Sequence, residues 1–245
     1  MKYPCVFFKI FALSIVLFHR GAFADSISDT KPSIGDSDGA GKCMRLSEWN
    51  RRRGIKTLVI AFEGLASYSP SATRAAYDYH RRILEGSKEP VRLPYAFGGF
   101  VARGLMIPVI ANAASSFDFL VFPYTATGIA HTCALEWLKV SGRRIILVSH
   151  SFGGMATVRV AGDLEKLGIP IHEVITIDPR TPFFGIGLER TQNAKRWENF
   201  YQWGGGLPGK SMPDADLNQR LWGAHTGMPF QPAVRQALLS AIKHQ

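Results

Sequence analysis

The stretch Arg144-Ile145-Ile146-Leu147-Val148-Ser149-His150-Ser151-Phe152-Gly153-Gly154 decides the fold. A short aliphatic run leads straight into a cluster of small residues. A helical pattern follows, with Met155, Val158, Ala161, Leu164 and Leu167 at three-residue steps until Gly168 and Pro170 stop it. A continuous apolar run of this length suits a strand buried on both faces of a parallel sheet. The order is therefore strand, sharp turn, helix. Such a turn lifts the Ser151 hydroxyl above the sheet edge, and the small Ser149 and Gly153 let strand and helix pass closely. The helix N-terminus adds partial positive charge beside that hydroxyl.

The same alternation extends outward from this segment. Short β-branched or apolar runs occur at Thr57–Phe62, Phe117–Phe122, Ile145–Ser149, Val174–Asp178 and Phe200–Trp203, with longer helical stretches between them. A last helix begins near Pro232 and carries Val234, Ala237, Leu238, Ala241 and Ile242 on one face. This alternation predicts an α/β fold with a mostly parallel central sheet and helices on both faces. The apolar segment from Tyr95 to Phe100 and on to Leu105–Ile110 lies between strands. It reads either as a core helix on the sheet or as a lid or acyl-pocket wall.

The first 24 residues combine a basic start at Lys2, an apolar stretch Ile10–Phe18 and small residues in Ala22-Phe23-Ala24, the three parts of a cleavable export signal. The chain is therefore expected to be exported, to the periplasm or medium. Residues 25–42, rich in Ser, Gly and Asp, read as a flexible linker, and 43–245 as one domain. Of 245 residues 46% are hydrophobic and 20% charged, which argues against disorder and against a multi-span membrane protein. The net charge of +10 becomes +7 once Lys2, Lys9 and Arg20 leave with the signal, which favours contact with anionic membrane or cell-envelope surfaces. The basic residues are mostly dispersed, with short runs such as Arg51-Arg52-Arg53 and Arg81-Arg82, and no nucleic-acid motif accompanies them. Cleavage leaves Cys43 and Cys133, which either form one disulfide or stay two separate buried thiols. No Cys/His cluster suits a structural zinc, and no metal or cofactor is required.

Two other motifs match literally but lack context. Gly35-Asp36-Ser37-Asp38-Gly39 is a perfect G-x-S-x-G with no strand before it and no helix after it. Gly204-Gly205-Gly206-Leu207-Pro208-Gly209-Lys210-Ser211 spells a phosphate-binding loop, but Pro213 opposes the helix that such a loop needs.

A nucleophilic serine needs a base and an orienting acid. Asp178 ends the strand after Ser151, at the ligand-binding edge of a parallel sheet, although Asp-Pro is also a common turn. Only His225 and His244 lie beyond it, and His244 is the penultimate residue on the last helix. His225, in the Gly-flanked loop Trp222-Gly223-Ala224-His225-Thr226-Gly227, is the candidate base. Of the other histidines, His80 reads as exposed on a helix, His131 as helix-opening, His172 as preceding a strand and His150 as a packed or exposed turn residue.

From Ile55 to the C-terminus the chain resembles the α/β-hydrolase family, on the turn at Ser151 and the Ser151, Asp178, His225 order. The family acid usually follows the second strand after the nucleophile. Asp178 follows the first, which resembles the pancreatic-lipase-type variation, and Asp214 and Asp216 are the alternatives. The resemblance implies an oxyanion hole from the Phe152 N–H and the Leu65 N–H in Glu63-Gly64-Leu65-Ala66-Ser67, with Glu63 where the family often has His. Phe183, Phe184, Ile186, Trp203, Leu207 and Trp222 flank this site, with Phe183, Phe184, Trp203 and Trp222 as substrate-binding candidates. The expected function is a lipase- or esterase-type serine hydrolase acting on carboxylic esters. Alternatives are a peptidase or acyltransferase on the same fold, or a non-catalytic binding protein.

Overall fold

The computed structural model describes Cys43 and residues 54–89, 98–181, 188–204 and 209–244. The expected signal, the linker, the Gly35–Gly39 motif, Tyr95, Phe97, Phe183, Phe184, Ile186 and Leu207 lie outside the described residues.

Six strands form one parallel sheet: β1 (Thr57–Glu63), β2 (Phe117–Pro123), β3 (Arg144–His150), β4 (Glu173–Ile177), β5 (Trp197–Trp203) and β6 (Leu217–Trp222). Their order across the sheet is β2-β1-β3-β4-β5-β6, every neighbouring pair parallel. The helices are α1 (Pro70–Leu84), α2 (Ile107–Ala113), α3 (Thr127–Leu138), α4 (Gly153–Lys166) and α5 (Pro232–Lys243). A π-helical turn, Ala102–Met106, runs directly into α2.

Strand side chains alternate between faces, and here both faces are covered. Val59 and Ala61 of β1, Ile146 and Val148 of β3, and Ile175 and Ile177 of β4 pack with α1, α2 and α5. Leu58, Ile60 and Phe62, Ile145 and Leu147, and Val174 pack on the other face with α3 and α4. Such strands carry no polar alternation, which is why the sequence shows them as unbroken apolar runs. Helix α1 starts where Pro70 presets its first turn, and the Ser69 hydroxyl accepts from Ala72 N–H.

Several expectations need correction. Strand β5 begins at Trp197 rather than Phe200, and β6 was not foreseen. The buried stripe of α4 is Gly153, Ala156, Thr157, Val160, Ala161 and Leu164, and Leu167 is exposed. Steps of three fall short of the 3.6-residue turn, so a strictly three-spaced row drifts off the buried face. Of the apolar segment around Phe100–Ile110, the described part is a core helix: Val101, Ala102, Leu105, Met106, Val109 and Ile110 are buried. His80 is buried rather than exposed, with Nε2 2.9 Å from the Ala114 carbonyl. Cys43 and Cys133 form a disulfide that joins positions 90 residues apart.

Candidate active site

Chain connectivity reverses direction between β1 and β3: β1 is followed by outer strand β2, and β3 by β4 on the other side. In an open parallel sheet such a switch leaves a crevice at the C-terminal strand ends, where ligands bind. The loop after β1 and the turn after β3 meet there. A Cβ on Gly64 would stand 2.6 Å from Ser151 Cβ and 3.0 Å from Ser151 Oγ, so only glycine fits so close to the hydroxyl. A Cβ on Gly153 would lie 2.5 Å from the Phe62 carbonyl oxygen, in keeping with the requirement for small residues flanking the turn.

Ser151 adopts φ 58° between β3 and α4. A left-handed serine is strained, and it is held from both sides. Its N–H donates to Ile177 O at 3.0 Å, and its carbonyl accepts from Gly154 N and Arg180 N, each at 3.0 Å. Among the described residues the non-glycine positions with positive φ are Ala66, Ser151 and Asp178. All three sit at this rim, on the β1 loop, the β3 turn and the end of β4.

Asp178 is fully buried. Its Oδ1 accepts from Gln202 N–H at 2.9 Å, and Arg180 Nη2 lies 3.5 Å from its Oδ2. That same Oδ2 accepts from His225 Nδ1. His225 opens the 3₁₀ turn His225–Phe230 with its side chain about a quarter exposed. Of the three candidate acids, Asp178 is therefore the one that meets His225. Asp214 accepts from Arg190 N–H at 2.8 Å, while Asp216 pairs with Arg190 at 2.7 Å and accepts from Trp197 N–H at 2.7 Å. Among the described residues no hydrogen bond joins Ser151 Oγ to His225. Contacts of this kind commonly tighten only when substrate is bound.

The remaining sequence candidates lie at or just after the C-terminal ends of their strands. Leu65 is half exposed, and no described acceptor takes its N–H or that of Phe152. Trp203 and Trp222 end β5 and β6 in register and pack edge to face at 5.2 Å, Trp222 being 70% exposed. Arg220 lies over the Trp203 ring at 4.7 Å. The Gly-rich loop opens no helix among its described residues. Instead Gly209 abuts the Asp178 carboxyl with no space for a Cβ, and Lys210 N–H donates to Pro179 O at 2.9 Å.

The contacts of several residues fill in what the sequence left open. Glu63 is fully buried, and its Oε1 accepts from Val101 N–H at 2.8 Å and Ala102 N–H at 3.2 Å, capping the helix that holds Phe100 near His150. Burial pushes its carboxyl up to about 7, against the lowering effect of those N–H groups. His150 is buried, with Nε2 3.0 Å from the His225 carbonyl oxygen. Gln202 reaches Asp178 from β5, and Arg180 from two residues further along the same loop. Among the described residues no group of acids, histidines and cysteines could hold a metal ion.

The fold and rim define an α/β protein whose parallel sheet gathers Ser151, Asp178 and His225 at the C-terminal strand ends. No family model matches the chain, and no curated protein matches it in sequence.

Proposed function

We propose that the protein is an exported serine hydrolase of the α/β-hydrolase type, cleaving carboxylic esters through an acyl-enzyme. The observation that carries this reading is the His225 Nδ1–Asp178 Oδ2 hydrogen bond at the rim beside the strained Ser151. With Nδ1–H held by a buried carboxylate, the neutral imidazole presents Nε2 as the base. His225 takes the Ser151 proton as Oγ attacks the ester carbonyl, and returns it to the leaving alcohol. Between those two transfers Asp178 stabilises the imidazolium. The Phe152 and Leu65 N–H groups serve the developing oxyanion, and Gly64 permits that approach. A water repeats the sequence to release the acid.

The exposed Trp203, Trp222, Phe230 and Leu65 around the crevice favour an apolar acyl or alcohol group, and the net positive charge favours an anionic surface. The Cys43–Cys133 disulfide fits an oxidising compartment and so supports export.

A fluorophosphonate probe tests the nucleophile directly: wild type is labelled on Ser151, and Ser151→Ala is not. A p-nitrophenyl ester series then reports chain-length preference. Peptide cleavage without ester cleavage favours the peptidase alternative, and a folded protein that resists labelling favours a binding protein.

A further inference from the structure

We propose that His150 is a positioning residue that holds the His225 ring in the plane it needs to accept the Ser151 proton. The inference rests on the serine-hydrolase reading above and extends it to a residue outside the Ser151–His225–Asp178 set. A carboxylate bonded to Nδ1 fixes one point of an imidazole. The ring remains free to pivot about that bond, and a pivot carries Nε2 away from the serine. Two further restraints come from His150, 75 residues earlier in the chain. Its ring stacks on the His225 ring, with centroids 4.5 Å apart and planes inclined by 29°. Its Nε2 lies 3.0 Å from the His225 carbonyl oxygen, and because a carbonyl only accepts, Nε2 carries the proton and donates it. The stack opposes ring rotation, and the hydrogen bond anchors the backbone from which the ring hangs.

His150 is itself fixed. It ends β3, is 1% exposed, and meets the edge of Phe100 at 5.9 Å. Its other nitrogen, Nδ1, is buried with no hydrogen-bond partner among the described residues. Burial pushes the imidazole down to about 3, so His150 stays neutral while His225 cycles between neutral and charged. A cation stacked on His225 would oppose the imidazolium that the reaction needs.

The test compares His150→Ala, His150→Gln and His150→Phe with wild type. The readouts are kcat and KM for p-nitrophenyl acetate, thermal stability, and the far-downfield proton NMR signal of the His225 Nδ1–H. The Ala variant is expected to lose about 100-fold in kcat with KM within about threefold, the pattern of a misplaced catalytic group. Its downfield signal should broaden or vanish. Gln keeps an N–H near the Nε2 position and should recover at least about tenfold over Ala, while Phe keeps a ring face without the donor and should fall between. An Ala variant that retains both the signal and kcat within about threefold overturns the proposal. So does a kcat that falls only with the folded fraction while the signal persists. If Ala does not fold, Gln and Phe variants both within about twofold of wild type overturn it equally. Failure of the serine-hydrolase reading looks different: wild type then shows no Ser151-dependent turnover, while the NMR signal still reports whether His150 holds His225 on Asp178.

Discussion

His225 Nδ1 donates to Asp178 Oδ2 across 47 residues of sequence, and that Asp178 carboxylate is fully buried beneath it. The contact separates three acids that sequence order alone leaves in competition. Asp178→Asn replaces an acceptor with an amide that can force the wrong imidazole tautomer, and kcat should fall by about 10³- to 10⁴-fold. Asp214→Asn and Asp216→Asn should stay within about threefold of wild type in kcat/KM, because their partners are Arg190 and the Trp197 N–H. Steady-state kinetics with p-nitrophenyl butyrate distinguish them. Full activity in Asp178→Asn alongside a crippled Asp214 or Asp216 variant would move the acid.

Gly64 offers a steric test. A methyl group there would sit 2.6 Å from Ser151 Cβ, so either the β1 loop or the serine must shift. The chemistry then loses alignment while the core is untouched, and Gly64→Ala should lose at least about 100-fold in kcat while keeping its far-UV circular dichroism. Gly162→Ala is the control. Nothing lies within 4 Å of a Cβ at that helical position, so stability should rise slightly with kcat unchanged.

What the sequence disclosed and what it withheld follow from the same physics. β1, β3 and β4 of the sheet interior show as apolar runs because both faces are buried, and edge strand β2 reads likewise because its sequence is nearly all apolar, so β1 to β4 are readable to within a residue or two. Strand β6 is not. It lies at the sheet edge, and Leu217-Asn218-Gln219-Arg220-Leu221-Trp222 carries polar side chains that face solvent or local partners. Ser151 was legible because its turn needs small flanking residues in a fixed order, and Asp178 and His225 because triad order limits the choice. The roles of His150, Arg180 and Gln202 were not, since each acts through a contact with another segment or through its backbone N–H, and for Glu63 the sequence left a supporting hydrogen bond and solvation both open. A glutamate whose neighbours are Gly and Phe reads equally as a hydrogen-bond acceptor or as a solvated side chain until a helix N-terminus is found against it.

The disulfide should matter for stability rather than for chemistry. Cys43 and Cys133 are 90 residues apart, and a cross-link closing a loop of that size restricts the unfolded chain by roughly 4–5 kcal/mol, of which about 2–4 kcal/mol is typically realised. The Cys43→Ala, Cys133→Ala double variant should therefore melt several degrees lower while kcat on a soluble ester changes little. Differential scanning calorimetry with and without reductant checks this. A wild type indifferent to reductant, with no free thiol detected before or after, would show that the bond resists reduction, so the double variant decides the matter.

The buried carboxyl of Glu63 makes stability depend on pH in a definite direction. Its folded value is about 7 against an ordinary 4.5, raised by burial despite the Val101 and Ala102 N–H groups. Below about pH 4.5 the group is protonated in folded and unfolded chains alike and contributes no pH dependence. Between about 4.5 and 7 the unfolded chain releases the proton while the folded chain keeps it, so stability falls as pH rises. Above about 7 both forms are ionised and the loss levels off, at an order of magnitude of 3 kcal/mol. Glu63→Gln keeps a carbonyl to accept from Val101 and Ala102 and has no charge to bury. It should match wild type near pH 4.5 and exceed it by a growing margin up to pH 7, with a constant gap beyond. Urea unfolding midpoints for both proteins across that range measure the gap. Subtracting one curve from the other removes the contribution of Glu173, which burial also holds up to about 7. Parallel curves would mean that the Glu63 carboxylate is solvated, and the helix that it caps would then need another anchor.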